Sequence, residues 1–187
     1  MKIDLDLDFF LHIMTRLHLK SSRFVFHIVC RNAPFTSNFL YKVKHRDYAR
    51  LYVSDKYRDI IDMYKSVYMN NVISAEVTKP SEQAFKALLK NNAIGGSFLL
   101  FAEPVGRQEH DNIDFLKRHS FLAQDSSHKR GYILPFGSQA SAEFIWDLFD
   151  NGKMLDAFNR FSPKQSNSET GDNGVELFWK ILCNRYC

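Results

Sequence analysis

A basic segment between residues 41 and 52 carries the side chains whose types and spacing best suit a chemical role. Tyrosines lie among its cations: the cations are Lys42, Lys44, Arg46 and Arg50, and the tyrosines are Tyr41, Tyr48 and Tyr52. Lysine and arginine neutralise phosphates, while phenol rings stack on bases or donate hydrogen bonds. In an extended chain, Lys42, Lys44 and Arg46 would share one face. The segment therefore predicts a surface that contacts phosphate groups, and a solvated basic face is the alternative.

Groups suited to catalysis or metal binding are not clearly arranged. Arg107 and His110 are close in sequence, but neither a helical nor a strand pattern surrounds them to hold them for acid–base catalysis. Aspartates alternate with apolar residues in a predicted strand, Ile3–Phe9, and carboxylates in a row are able to bind Mg²⁺ or Ca²⁺. A charged strand edge that resists unwanted pairing explains the same pattern. We predict no catalytic residue, no metal and no cofactor.

The basic segment leads into a predicted strand, Tyr48–Ser54, and then directly into a predicted helix, Tyr57–Tyr68. In the strand the odd-numbered residues are apolar and the even-numbered ones are polar. Successive side chains alternate across a strand, so the polar side chains are expected on the face away from the core. In the helix, apolar residues and tyrosines recur every three or four positions. A second helix, Ser81–Lys90, is predicted next, with Ser81 as its N-cap.

The order strand, helix, helix within residues 46–92 resembles the ribbon-helix-helix family of DNA-binding regulators. The resemblance implies a homodimer in which one strand from each chain pairs into an antiparallel ribbon in the major groove of double-stranded DNA. The ribbon would read bases, and the N-terminus of the second helix would hold a phosphate, roles that suit arginine and a capped helix end. The residues assigned to DNA are Lys42, Lys44, Arg46, Tyr48, Arg50, Tyr52, Lys79 and Ser81.

The join between the two helices leaves a second architecture open. The family usually joins its helices by a short turn, whereas residues 70–80 intervene here. Val72–Thr78 alternates as a strand does, and a strand there would make the segment part of an ordinary sheet. We expect an α+β fold in both cases, built on a ribbon-helix-helix-like core or on a strand–helix–strand core, with further strands and C-terminal helices. One of the further strands is predicted at residues 97–102, a short continuous apolar run typical of a buried strand.

Composition sets broad limits on the protein. The chain has 187 residues, of which 45% are hydrophobic and 17 are phenylalanine, so an intrinsically disordered chain is excluded. The formal net charge of +4 permits a nucleic-acid partner without requiring one. The 3 cysteines have no metal-ligand spacing, which favours a reducing compartment. Without a signal-peptide pattern or an apolar stretch of about 20 residues, we predict a cytoplasmic protein with no membrane partner.

The chain is expected to divide into three parts. Residues 1–161 are predicted to form one α+β domain that includes the segment 46–92. Residues 162–174 are rich in serine, asparagine and glycine, and are predicted to be a flexible linker. Residues 175–187 are predicted to contain an apolar helix that docks on the core or on a partner subunit.

Two classes of function are consistent with these features. The first is a sequence-specific DNA-binding transcriptional regulator that acts as a dimer. The second is a small α+β interaction protein, such as an immunity-like inhibitor, without catalytic activity. In the second hypothesis the tyrosines of residues 48–68 and the basic segment form a protein interface, because tyrosine and arginine are common at such interfaces.

Overall fold

A computed structural model of the chain describes residues 7–79, 97–118, 122 and 133–152. Within these residues the fold is mixed α and β, as expected, with five helices and four short strands. The helices are α1 (Asp8–Lys20), α2 (Pro34–Val43), α3 (Tyr57–Asn70), α4 (Arg107–Arg118) and α5 (Ser138–Asp150). The strands are β1 (Phe26–Arg31), β2 (Ala49–Ser54), β3 (Ala75–Thr78) and β4 (Ser97–Leu100). None of these described helices has the length and apolar character needed to cross a membrane.

The strands form two parallel pairs. β1 pairs with β2, with Phe26 opposite Ala49 at one end and Arg31 opposite Ser54 at the other. β3 pairs with β4 in the same way, and Glu76 lies opposite Phe98. Parallel neighbours need a crossover connection, and α2 is the helix that connects β1 to β2.

Each strand pair buries apolar side chains against helices. One face of the β1–β2 pair packs on α1 and α2; this core contains Leu11, Met14, Phe39, Val43 and Tyr48, with Phe26, Ile28, Ala49 and Leu51 packed against it. In the other pair, Phe98 and Leu100 lie in a core with residues of α3 and α4. Leu99 points the opposite way, into a core with residues of α1 and α5. Burial on both faces explains why the predicted strand at residues 97–102 reads as a continuous apolar run.

Residues 39–43 belong to α2, so Lys42, Lys44 and Arg46 do not share one face of an extended segment as expected. Thr36 fixes the start of this helix, because its hydroxyl accepts the Ala33 backbone N–H at 2.9 Å. Phe39 and Val43 are buried and Leu40 is half-buried on the same side of the helix. The three- and four-residue spacing of these apolar positions is helical, but alternating lysines in the same stretch imitate a strand.

Two other local predictions also need correction. The predicted strand Ile3–Phe9 extends into α1, which begins at Asp8, while residues 1–6 lie outside the described part of the chain. Arg107 and His110 do have a scaffold, because both lie on α4. The first six residues of α4 are polar and give no helical signal, whereas Ile113 and Leu116, one turn apart, are buried.

The strand followed directly by a helix is confirmed as β2 and α3. Ser54 helps the transition, because its hydroxyl accepts the Lys56 N–H at 3.1 Å and donates to the Asp59 carboxylate at 2.7 Å. The ribbon-helix-helix core itself is not confirmed. β2 pairs in parallel with β1 of the same chain, and β3 is a strand at the position where the family has a turn. The predicted helix Ser81–Lys90, the linker 162–174 and the C-terminal helix 175–187 lie outside the described residues.

Candidate nucleic-acid interface

Three cations of the basic segment lie close in sequence where the chain passes from α2 through a turn into the start of β2. Lys44, Arg46 and Arg50 are all exposed there. The turn is tight, because the Arg46 N–H donates to the Val43 carbonyl at 2.9 Å and the Ala49 N–H donates to the Arg46 carbonyl at 3.1 Å. Lys44 caps the C-terminus of α2, where a positive side chain also interacts favourably with the helix dipole. We call Lys44, Arg46 and Arg50 the basic turn.

The Arg50 guanidinium is oriented by its own backbone. Its Nη1 atom donates to the Asp47 carbonyl at 2.6 Å and to the Ala49 carbonyl at 3.2 Å. A guanidinium has five N–H donors, and these two bonds use only one of its nitrogens. Arg50 is therefore exposed and held in place before a ligand arrives, which lowers the entropy lost on binding an anion.

Tyr52 follows Arg50 on the same face of β2 and contacts β1. Its hydroxyl lies 3.1 Å from Nδ1 of His27, and the two rings stack with their centroids 5.8 Å apart. His27 lies opposite Arg50 in the strand register. Burial and, to a smaller extent, the charge of Arg50 lower the pKa of His27, so its ring is neutral at pH 7. Tyr52 is therefore half-buried and paired, whereas Arg50 is the exposed side chain of this face.

Tyr48 lies in the core, a position that does not suit the contact with DNA predicted for it. Only 7% of this residue is exposed. Its hydroxyl is 3.1 Å from Oγ1 of Thr15, and its ring stacks on His18 at a centroid distance of 4.3 Å. Tyr48 precedes β2 in the turn, where side chains do not alternate as they do in a strand, so it points to the same side as Ala49.

Lys42 forms an ion pair with Asp8 and is therefore not included in the basic turn. Its Nζ atom lies 2.7 and 2.6 Å from the two carboxylate oxygens of Asp8, which joins α2 to α1. The side chains are 35% and 33% exposed, so solvent screens the pair and its contribution to stability is about 1 kcal/mol or less. The pair compensates the charge of Lys42 locally, and Lys42 is a weaker partner for phosphate than the basic turn.

The remaining predicted contacts do not join this site in the described structure. Lys79 is exposed immediately after β3, and β3 pairs with β4 rather than with β2. Ser81 lies outside the described residues. Tyr41, in contrast, is 73% exposed on α2. Its ring lies edge-to-face to the ring of His45, with the two ring centroids 6.5 Å apart. An exposed phenol beside the basic turn is suited to stack on a base or to donate a hydrogen bond to a phosphate.

Known proteins give no assignment for this arrangement. No family model matches the sequence, and no match was found among curated proteins or solved structures. The site is therefore described by its own chemistry: exposed cations at a tight turn, an exposed tyrosine, and a neutral histidine paired with a second tyrosine.

The α4 residues considered for catalysis face solvent. Arg107 and Asp111 form an ion pair of 3.8 Å whose side chains are 96% and 69% exposed. His110, on the same helix, is also exposed. General acid–base catalysis needs a group held against its substrate, and solvent-facing side chains on one helix do not provide such an enclosure. Within the described residues, no three histidine, cysteine or acidic side chains are grouped as metal ligands would be.

A second polar cluster, which the sequence did not reveal, lies under α3. Glu76 of β3 is buried and accepts hydrogen bonds from the hydroxyls of Tyr64 and Tyr68. Burial raises the pKa of Glu76 to about 8, against a smaller lowering by a hydrogen bond from Thr78. Burial also raises the pKa of Tyr68. Glu76 occupies a polar position in an alternating strand, a pattern that predicts exposure. The sequence feature that could have indicated this cluster is the spacing of Tyr64 and Tyr68, one turn apart on α3.

Proposed function

We propose that the chain binds double-stranded DNA through the basic turn and acts as a DNA-binding regulator. The proposal is supported chiefly by the exposure of Lys44, Arg46 and Arg50 across the tight connection from α2 into β2. DNA phosphates attract such a cluster because each contact releases condensed counterions. Lys44 and Arg46 are assigned to phosphates, which position a protein on the duplex. Arg50, which is oriented before binding, is assigned to a base edge, because arginine bonds guanine bidentately.

The dimer that the family resemblance implies would use the second edge of β2. In the described residues β1 occupies one edge of β2, and no strand pairs along the other. Two copies of β2, paired antiparallel along this edge, would bring Arg50 and Tyr52 of both chains onto one ribbon. Light scattering on the purified chain tests this part of the proposal: a mass of two chains supports it and a mass of one chain contradicts it.

Substituting Arg50 separates base contact from phosphate contact. We expect Arg50→Ala to weaken binding to a selected preferred duplex by about 1–3 kcal/mol and to change binding to random duplex little. Lys44→Ala, the matched substitution of a phosphate contact, is expected to weaken both about equally. Fluorescence anisotropy with both duplexes measures the two affinities. Equal affinities for wild type and Arg50→Ala on both duplexes would contradict the assignment of Arg50.

Lys42 and Lys44 are two positions apart but are expected to respond differently. Lys44→Ala removes one phosphate contact and should reduce the salt slope of DNA binding by about 0.9. Lys42→Ala removes a lysine already paired with Asp8, so we expect a change in slope of less than about 0.3. Anisotropy titrations at several salt concentrations measure both slopes. A larger effect for Lys42→Ala would show that the Asp8 pair opens on binding.

The protein-interaction alternative has one observation in its favour. Phe35 and Tyr41 of α2 are 77% and 73% exposed, and exposed aromatic side chains often anchor protein interfaces. Tyr48 and Tyr68, which this hypothesis also used, are buried and unavailable to a partner. A protein partner captured by the wild type and lost in Phe35→Ala, but retained when the basic turn is replaced, would favour this alternative.

A further inference from the structure

Glu76 is an ionisable residue in an apolar core. It lies opposite Phe98, which is fully buried, on the face of the β3–β4 pair that packs against α3 and α4. The core on this face also contains Leu100, Ile113 and Leu116. A carboxylate transferred from water into such surroundings loses hydration, so the neutral acid is the form that the site favours.

The polar groups around Glu76 come mainly from one helix. Tyr64 and Tyr68, one turn apart on α3, contact one carboxyl oxygen each, and Thr78 of β3 also bonds the carboxyl. In the described part of the chain, these two phenols are the titratable groups that face Glu76. β4 and α4 present apolar side chains to it, and the charged residues Asp114 and Lys117 of α4 are exposed. We call Glu76, Tyr64, Tyr68 and Thr78 the Glu76 cluster.

We propose that the Glu76 cluster is a proton-dependent contact that holds α3 on β3. When Glu76 is neutral, the carboxyl can exchange hydrogen bonds with the two phenols and needs no water. When Glu76 ionises, its proton passes to solvent, and the carboxylate keeps the hydrogen bonds of its three hydroxyl neighbours but no hydration, so burial outweighs these bonds. Hydration of the charge then requires α3 to move away from β3, so ionisation favours opening of this helix. The inference does not depend on DNA binding.

The direction of the pH effect follows from the two protonation states. Burial raises the pKa of Glu76 to about 8 in the closed structure, and the hydrated carboxyl of the open form has an ordinary pKa of about 4.3. Between these values the closed form binds more protons than the open form, so rising pH favours opening. The closed form is fully favoured below the lower pKa, and the preference is lost as pH rises through the upper one.

Hydrogen exchange of α3 as a function of pH tests the proposal on the full chain. Between pH 6 and pH 9, the opening equilibrium of α3 amides is expected to rise about 10- to 100-fold, after correction for intrinsic exchange. In Glu76→Gln, which keeps the shape and cannot ionise, we expect less than about a 2-fold rise. Glu143→Gln, at an exposed position of α5, should behave as the wild type. Equal pH dependence in the wild type and Glu76→Gln would overturn the proposal.

A direct titration of Glu76 keeps the proposal testable if Glu76→Gln does not fold. Carboxyl-carbon NMR of the labelled wild-type chain gives the midpoint for this residue alone. A midpoint above about pH 6.5 is expected from burial, whereas a midpoint near about 4.3, the value of a hydrated glutamate, would overturn the proposal. α1, which lies outside the Glu76 cluster, serves as the internal reference for exchange.

Discussion

Replacing Lys44, Arg46 and Arg50 together by alanine is expected to weaken binding to the selected preferred duplex by roughly 100- to 1000-fold at about 0.1 M salt. Lys44 and Arg46 are the two assigned phosphate contacts, and each contributes about 0.9 to the salt slope, so the slope should also fall by about 1.8. The three side chains are exposed and make no core contacts, so the fold is expected to tolerate the change. Anisotropy titrations measure the affinity, and circular dichroism checks the fold.

The matched control removes the same charge from other parts of the surface. Arg16 of α1, Arg58 of α3 and Arg107 of α4 are exposed on three different helices. Replacing these three by alanine lowers the net charge equally but leaves the basic turn intact. We expect this variant to lose less than about 10-fold in affinity, because dispersed charges contribute only long-range attraction. Equal losses in the two triple variants would show that net charge, and not the basic turn, accounts for binding.

Tyr48→Ala is expected to lower the free energy of unfolding by about 3–5 kcal/mol, because it removes a buried aromatic ring and leaves a cavity. The ring packs between His18 and the β1–β2 core, so nearby side chains cannot fill the space without moving. Tyr48→Phe removes only the hydroxyl that faces Thr15 and should cost about 1 kcal/mol. Urea unfolding followed by circular dichroism measures both.

The same pair of variants distinguishes a core role from a DNA-contact role for Tyr48. Tyr48→Phe remains folded in our account, so its DNA affinity should equal that of the wild type. A base-reading tyrosine, as the sequence predicted, would instead lose affinity in Tyr48→Phe with no loss of stability. That second pattern would contradict the burial of Tyr48.

Sequence patterns predicted the elements whose hydrophobic period was unambiguous. The helix predicted to begin at Tyr57 is α3, and the strand predicted to end at Ser54 is β2. The apolar run at residues 97–102 contains β4, which is buried on both faces. In these segments local propensity and tertiary packing favour the same structure, so the local pattern was sufficient.

The errors arose where two periods fit the same residues or where tertiary contacts decide burial. In residues 39–46 lysines alternate as in a strand, but Phe39 and Val43 pack as a helical face. Tyr48 is buried because the turn points it toward α1, and no pattern within the segment encodes that direction. Glu76 is buried because α3 supplies two phenols to it, a contact between elements that sequence spacing alone does not show.

Partner strands were also beyond the reach of sequence patterns. β2 has the alternation of a ribbon strand, yet it pairs in parallel with β1 of the same chain. Alternation reports which side chains face the core, but it does not report which strand supplies the hydrogen bonds. For this reason the strand and the helix after it were predictable, whereas the ribbon-helix-helix core remains part of the proposal.

The central claim, that the basic turn binds DNA, is tested most directly by titrating the wild-type chain into labelled mixed-sequence duplex at two salt concentrations. Two phosphate contacts per chain, from Lys44 and Arg46, predict binding that weakens about 12-fold between about 50 and about 200 mM salt, and more steeply for a dimer. Binding with this salt dependence is the predicted result. Absence of binding at the lower salt concentration, with the chain folded, would contradict the claim.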